Sequence, residues 1–163
     1  MDREQIAQNE KWKLEDIFKS DNDWEKEFEN LSSNADVCLK YKGKLTNAEN
    51  ILNCLNESKN IMITVERLFA YAKMKHDENT KNSHYKDLSE RIENLYVKIM
   101  ANNSFIVPSL VKLSGKFIKS LAADKRFSEY DYFLKKLAQK KKHILSDKEE
   151  KLLAQGGELF GSY

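Results

Sequence analysis

Between residues 47 and 103 the chain carries two apolar stripes at helical spacing, one on either side of a polar segment, and few folds accommodate that arrangement. On the first arm Ile51, Leu55, Met62, Val65, Phe69 and Ala72 recur at steps of three and four residues, with Ser58 taking one place in the series. Such spacing sets side chains along one face of an α-helix. On the second arm Tyr85, Leu88, Ile92, Leu95, Ile99 and Ile106 keep the same rhythm, with Asn102 as the polar member. Between the stripes lies the polar segment from His76 to Tyr85. The stripes bury each other only if the chain doubles back, so the pattern predicts a long antiparallel helical hairpin over about 47–75 and 81–104.

Composition supports helix throughout. One proline and five glycines in 163 residues leave little turn chemistry for a sheet, and a chain of this length makes one domain with a sizeable core. The expected fold is all-α, a single helical domain over residues 1–163, arranged as a multi-helix bundle or array. Leu52, Ile61, Ile63 and Leu68 widen the first stripe, so that helix is expected to contact neighbours on more than one side.

Along the chain, residues 1–10 are polar. Trp12, Leu14, Ile17 and Phe18 then require a docking surface, and both Trp12 and Trp24 read as core anchors. Ser20 to Asp23 offers a cap and negative charge for a helix start. From there Trp24, Phe28, Leu31, Ala35, Cys38 and Tyr41 predict one helix, with Gly43 as its stop. Thr46 and Asn47 cap the first hairpin arm, and Pro108 forces a kink or break after the second, before Leu110 and Leu113. Shorter C-terminal helices follow. Phe117, Ile118 and Leu121 mark one, and Phe127, Tyr130, Phe133, Leu134 and Leu137 mark another ending near Lys141. Ser146 to Glu149 has capping-box spacing for a last one.

The net charge of +2 is too small to imply a nucleic-acid or membrane partner. Charge is nonetheless uneven, because residues 112–151 hold 12 Lys or Arg against 6 Asp or Glu, leaving a net negative remainder. The lysine cluster Lys135, Lys136, Lys140, Lys141 and Lys142 is the alternative functional feature, a face for nucleic acid or an acidic protein. It lacks arginine for bidentate contacts and reads first as a solvated helix face, so nucleic acid is not the expected partner. No run approaches the roughly 18 apolar residues of a membrane helix. The N-terminus lacks the apolar core of a signal peptide, which points to a cytoplasmic protein. Cys38 and Cys54 fit no disulfide framework or metal motif and read as small buried apolar groups.

His76, Asp77, Glu78 and His84 come nearest to a metal or acid–base cluster, but the spacing lacks two imidazoles one helical turn apart with a carboxylate between them. The structural reading comes first: His76 falls in phase with Phe69 and Ala72, and the Asp, Asn, Thr and Ser side chains of the segment can cap two helix ends. His76, Asp77 and Tyr85 are the candidate polar residues at the hairpin tip. No catalytic or metal-binding residue is identified, and no nucleophile–base set is recognisable.

Several segments together resemble one family. These are Trp12-x-Leu14-x-Asp16-Ile17-Phe18 with Trp24, then Tyr41-Lys42-Gly43-Lys44-Leu45, then His76-Asp77-Glu78-Asn79-Thr80-x-Asn82-Ser83-x-Tyr85, and finally His143-x-Leu145-Ser146-x-x-Glu149-Glu150-x-Leu152-Leu153. In order and spacing they resemble the N-terminal region of oligoendopeptidase F, an M3-type zinc metallopeptidase. The resemblance implies a helical wall of a deep cleft that admits oligopeptides, with His76, Asp77 and Tyr85 as candidate cleft residues. It also implies that the zinc and the catalytic glutamate belong to a C-terminal catalytic domain, bearing an H-E-x-x-H helix, that this sequence does not contain. The chain alone is therefore expected to be inactive and to hold no cofactor. Its expected partners are that catalytic domain, an oligopeptide in the full-length enzyme, and a second copy of itself in a homodimer.

Overall fold

The computed structural model describes residues 12–141, and among them there are six α-helices, three 3₁₀ segments and no strand. The all-α expectation holds. The helices are α1 (Asp21–Ser33), α2 (Ala48–Glu78), α3 (Ser83–Asn103), α4 (Ile106–Val111), α5 (Gly115–Ala123) and α6 (Asp131–Lys141). The last helix expected at Ser146 and the polar residues 1–10 lie outside the described residues. The chain divides into two compact units, one of residues up to Lys44 with Asn53–Phe105, the other of Leu45–Leu52 with the residues from Ile106 onward.

In the first unit Ser20 caps α1, its hydroxyl oxygen accepting from the Asp23 N–H at 3.2 Å. Helix α1 ends at Ser33 rather than near Gly43. The reason is local: the Asn34 side chain donates to the Asn30 carbonyl at 2.8 Å, offering that backbone group an alternative to a continued helix. A 3₁₀ segment, Val37–Tyr41, carries Cys38 and Tyr41 instead. The turn that follows needs Gly43, whose φ of +76° lies in the left-handed region that side chains disfavour.

Helix α2 has 31 residues and at ~1.5 Å per residue spans roughly 46 Å. Asn79 to Asn82 form the reversal, and the Asn82 side chain caps α3 by accepting from the His84 N–H at 3.0 Å. The two helices run antiparallel: Asn103 reaches the Ser58 hydroxyl at 3.4 Å near one end, and Lys75 lies over the Tyr85 ring at the other. The α3 stripe is buried as expected at Leu88, Ile92, Leu95 and Ile99. Asn102, its polar member, donates to the Ala35 carbonyl at 2.9 Å. On α2 the buried line runs through Ile61, Val65, Leu68 and Ala72, while Phe69 is 39% exposed. Steps from Val65 to either 68 or 69 satisfy helical spacing, and α1 decides between them. Trp24, wholly buried, donates its indole N–H to the Leu68 carbonyl at 2.9 Å and draws that side of α2 inward. Trp12 departs from its expected core role, being 50% exposed, and Leu14 and Phe18 alone of its group are buried.

The second unit has its own core of Leu45, Ile51, Ile106, Leu110, Ile118, Leu121, Phe127, Leu134 and Leu137. Asn47 caps the start of α2, accepting from the Asn50 N–H at 2.9 Å. Pro108 sits in the first turn of α4, where a missing N–H costs nothing, so the break falls earlier, at Ser104 and Phe105. Ser114 caps α5. Phe127 belongs to a separate 3₁₀ segment, Lys125–Tyr130, rather than to α6. Asp124 explains this by accepting from both the backbone and the guanidinium of Arg126, which closes a tight turn before a helix can start.

Candidate functional site

The hairpin tip and the first turn of α1 together build a polar aromatic cluster in the first unit. Asp21, at the start of α1, accepts a hydrogen bond from the Tyr71 hydroxyl at 2.7 Å on one carboxylate oxygen. His84 Nε2 approaches the other at 3.3 Å. Burial, and next the bond to the Asp21 carboxylate, push the Tyr71 phenol above its ordinary pKa, so it stays a donor. Phe18 packs edge-on to Tyr71 with ring centres 5.6 Å apart, and the Arg67 guanidinium covers Phe18 at 5.1 Å while donating to the Ile17 carbonyl. The Lys75 ammonium lies 5.4 Å from the Tyr71 ring centre and 5.5 Å from that of Tyr85. Arg67, Tyr71 and Lys75 are four residues apart, so α2 delivers all three along one line.

The three candidate residues read from the sequence occupy different settings. Tyr85 is half-buried beside Lys75, and its ring tilts against His84 at 5.3 Å. Asp77 is exposed and pairs with Lys73 one turn earlier at 3.1 Å. His76 is half-buried, with its Nδ1 shielded from solvent and without a hydrogen-bond partner. Asp21, Tyr71 and Lys75 were not singled out as site residues in the sequence. Their signal is the four-residue spacing of Arg67, Tyr71 and Lys75, which was not read as a line, and Asp21 reads only as a helix-capping acid until the fold brings it to Tyr71.

Further along the same helices, Arg91 of α3 forms a two-pronged ion pair with Glu25 of α1. Its guanidinium lies 4.4 Å from the Phe28 ring centre and 5.5 Å from that of Trp24, rings that stack on one another. The hydrogen bonds from Arg91 hold the Glu25 carboxyl below its usual range. Between α2 and α3 opens a groove of about 330 Å³ lined by Met62, Val65, Glu66, Phe69, Ala70 and Tyr96. Its walls are apolar, with Glu66 the one acid. Concave apolar surfaces of this kind are a common setting for ligand binding.

Among the described residues no three His, Cys, Asp or Glu side chains are grouped as a metal site requires, and no helix is long and apolar enough to cross a membrane. Within the lysine cluster, Lys135 is held by Asp131 at 2.7 Å and Lys136 lies over the Tyr132 ring. The side chains of Lys140, Lys141 and Lys142 lie outside the described residues.

The described residues define the class at the level of fold, an all-helical array with an apolar groove between α2 and α3. Comparison with known proteins gives its family. The family profile described as Oligopeptidase F, an M3 peptidase N-terminal family, matches residues 110–163. Oligopeptidase PepF of Bacillus subtilis is 32% identical over 163 residues, covering 99% of this chain and 24% of that protein. An oligoendopeptidase F homolog of Lactococcus lactis subsp. lactis is 34% identical, covering 98% of this chain and 27% of that protein. A solved structure of a Chlamydophila abortus protein superposes with a TM-score of 0.79 at 21% identity over 95% of this chain and 27% of its own, which supports the fold. The chain belongs to the oligoendopeptidase F family and corresponds to its N-terminal part. It spans about a quarter of the length of the relatives it matches.

Proposed function

We propose that this chain, acting as a single helical domain, serves as one wall of the substrate cleft of an oligopeptide-cleaving zinc metalloendopeptidase and has no peptidase activity alone. The observation that carries the proposal is the match of nearly the whole chain to proteins named as oligopeptidases. The apolar groove between α2 and α3 supports a role in recognition, and the hairpin-tip residues His76, Asp77 and Tyr85 contribute to the wall's polar rim. The zinc and the groups that activate water belong, on this reading, to the longer protein outside this chain. A cytoplasmic location is part of the same proposal. So is a homodimer of this chain in isolation, formed through the apolar groove.

The test is to incubate the purified chain with zinc and unstructured peptides, and to delete the matching region from the Bacillus subtilis relative. The expected results are no cleavage by the chain and a large loss of peptide cleavage by the deleted relative. Cleavage by the chain that co-purifies with it through successive steps overturns the assignment.

A further inference from the structure

Cys38 and Cys54 are the most deeply buried nucleophilic pair among the described residues, 1% and 0% exposed, and neither is in a disulfide. They come from different elements, Cys38 from the 3₁₀ segment Val37–Tyr41 and Cys54 from α2. Their side chains nevertheless hydrogen-bond to one another. A second contact fixes this pairing. One turn further along both elements, the Tyr41 hydroxyl donates to Glu57 Oε1 at 2.9 Å, and Lys40 reaches the same oxygen at 2.8 Å. Cys38 precedes Tyr41 by three residues, as Cys54 precedes Glu57, so the 3₁₀ segment is pinned to α2 with the two thiols in register.

We propose that Cys38 and Cys54 form a peroxide-sensitive dithiol that closes to an intramolecular disulfide, locking the 3₁₀ segment to α2. Cys38 is the attacking sulfur. The hydrogen bond donated by Cys54 holds the Cys38 thiol below its ordinary range, and the same bond pushes that of Cys54 up. The Cys38 thiolate attacks one oxygen of hydrogen peroxide. The O–O bond breaks, and a sulfenic acid forms as hydroxide leaves and takes a proton to become water. The Cys54 sulfur then attacks the Cys38 sulfur, the S–O bond breaks, and a second hydroxide leaves with the Cys54 proton as water. Two thiols are oxidised and one peroxide is reduced. A disulfide holds its sulfurs at ~2.05 Å, so closure draws the 3₁₀ segment tighter against α2. A small oxidant suits a buried pair that larger disulfide reagents reach only when the segment opens.

The test treats the native chain with hydrogen peroxide, quenches it, denatures it and alkylates the remaining thiols for intact-mass analysis. The expected product has lost two hydrogens, takes up no alkyl group, stays monomeric and returns to two alkylatable thiols with a reductant. Glu57→Gln, which loosens the pinned segment, should accelerate loss of thiols several-fold. Cys54→Ser should stop at a trappable sulfenic acid on Cys38, with helix content checked by circular dichroism. Two alkylatable thiols remaining after complete reaction of an exposed control thiol overturn the proposal, as does oxidation that yields only sulfinic acid or intermolecular disulfides.

Discussion

The indole N–H of Trp24 reaches the backbone carbonyl of Leu68 at 2.9 Å with the tryptophan wholly buried, joining the first helix to the middle of the longest one. This contact sets the rotation of α2, because it turns Leu68 inward and leaves Phe69 at the groove. Replacing Trp24 with alanine removes a large buried ring and is expected to cost about 3–5 kcal/mol. Trp24→Phe keeps most of the volume and loses the hydrogen bond, for about 1–2 kcal/mol. Urea denaturation followed by circular dichroism checks both, and equal losses for the two variants would show that the hydrogen bond, not the packing, dominates.

The Arg91–Glu25 pair gives the fold a pH dependence of known sign. Hydrogen bonding to Arg91 holds the Glu25 carboxyl below its value in the unfolded chain. Its contribution is therefore fully present above the unfolded carboxyl range, about pH 4.3, and is lost as pH falls through the lower folded value. Glu25→Gln should lower stability near neutrality, and the gap from the parent chain should shrink on acidification below about pH 4.3. A gap that is constant from pH 7 to pH 3 would contradict the assignment.

Gly43 adopts a φ of +76° with open space where a side chain would stand. Gly43→Ala should therefore cost about 1 kcal/mol, from backbone conformation alone, and Gly43→Asn less. Thermal melts of the two variants distinguish this from steric exclusion, which would penalise asparagine more than alanine.

The exposed apolar strip beside the groove, with Phe69 at 39%, Tyr96 at 39%, Met100 at 47% and Val97 at 65% exposure, should drive self-association of the isolated chain. Light scattering over a wide concentration range should report a mass that rises above that of a monomer. Phe69→Ser with Tyr96→Ser should hold the mass at the monomer. A parent chain that stays monomeric throughout removes the dimer from the account.

The hairpin was legible because its signal is local: Leu88, Ile92, Leu95 and Ile99 fix a face of α3 without reference to any other element. The phase of α2 was not, since Leu68 and Phe69 both fit the period and only Trp24, 44 residues away, chooses between them. The break in α1 was written in the Asn30 and Asn34 pair but masked by Ala35, Cys38 and Tyr41, which continue the helical rhythm beyond it. At the tip, His84 and Tyr85 lay in a visibly polar segment. The Asp21 to Tyr71 bond spans 50 residues and leaves no periodic trace. The four family-like segments carried the family itself, because their order and spacing reflect ancestry rather than any one contact.

The most direct test of the cleft-wall reading is a chimera in which this chain replaces the matching quarter of the Bacillus subtilis oligopeptidase, assayed on an unstructured oligopeptide. The chimera should cleave the peptide, and Phe69→Ser with Tyr96→Ser in the groove should raise KM several-fold while kcat changes little. A relative that keeps its full kcat/KM after this region is deleted would contradict it.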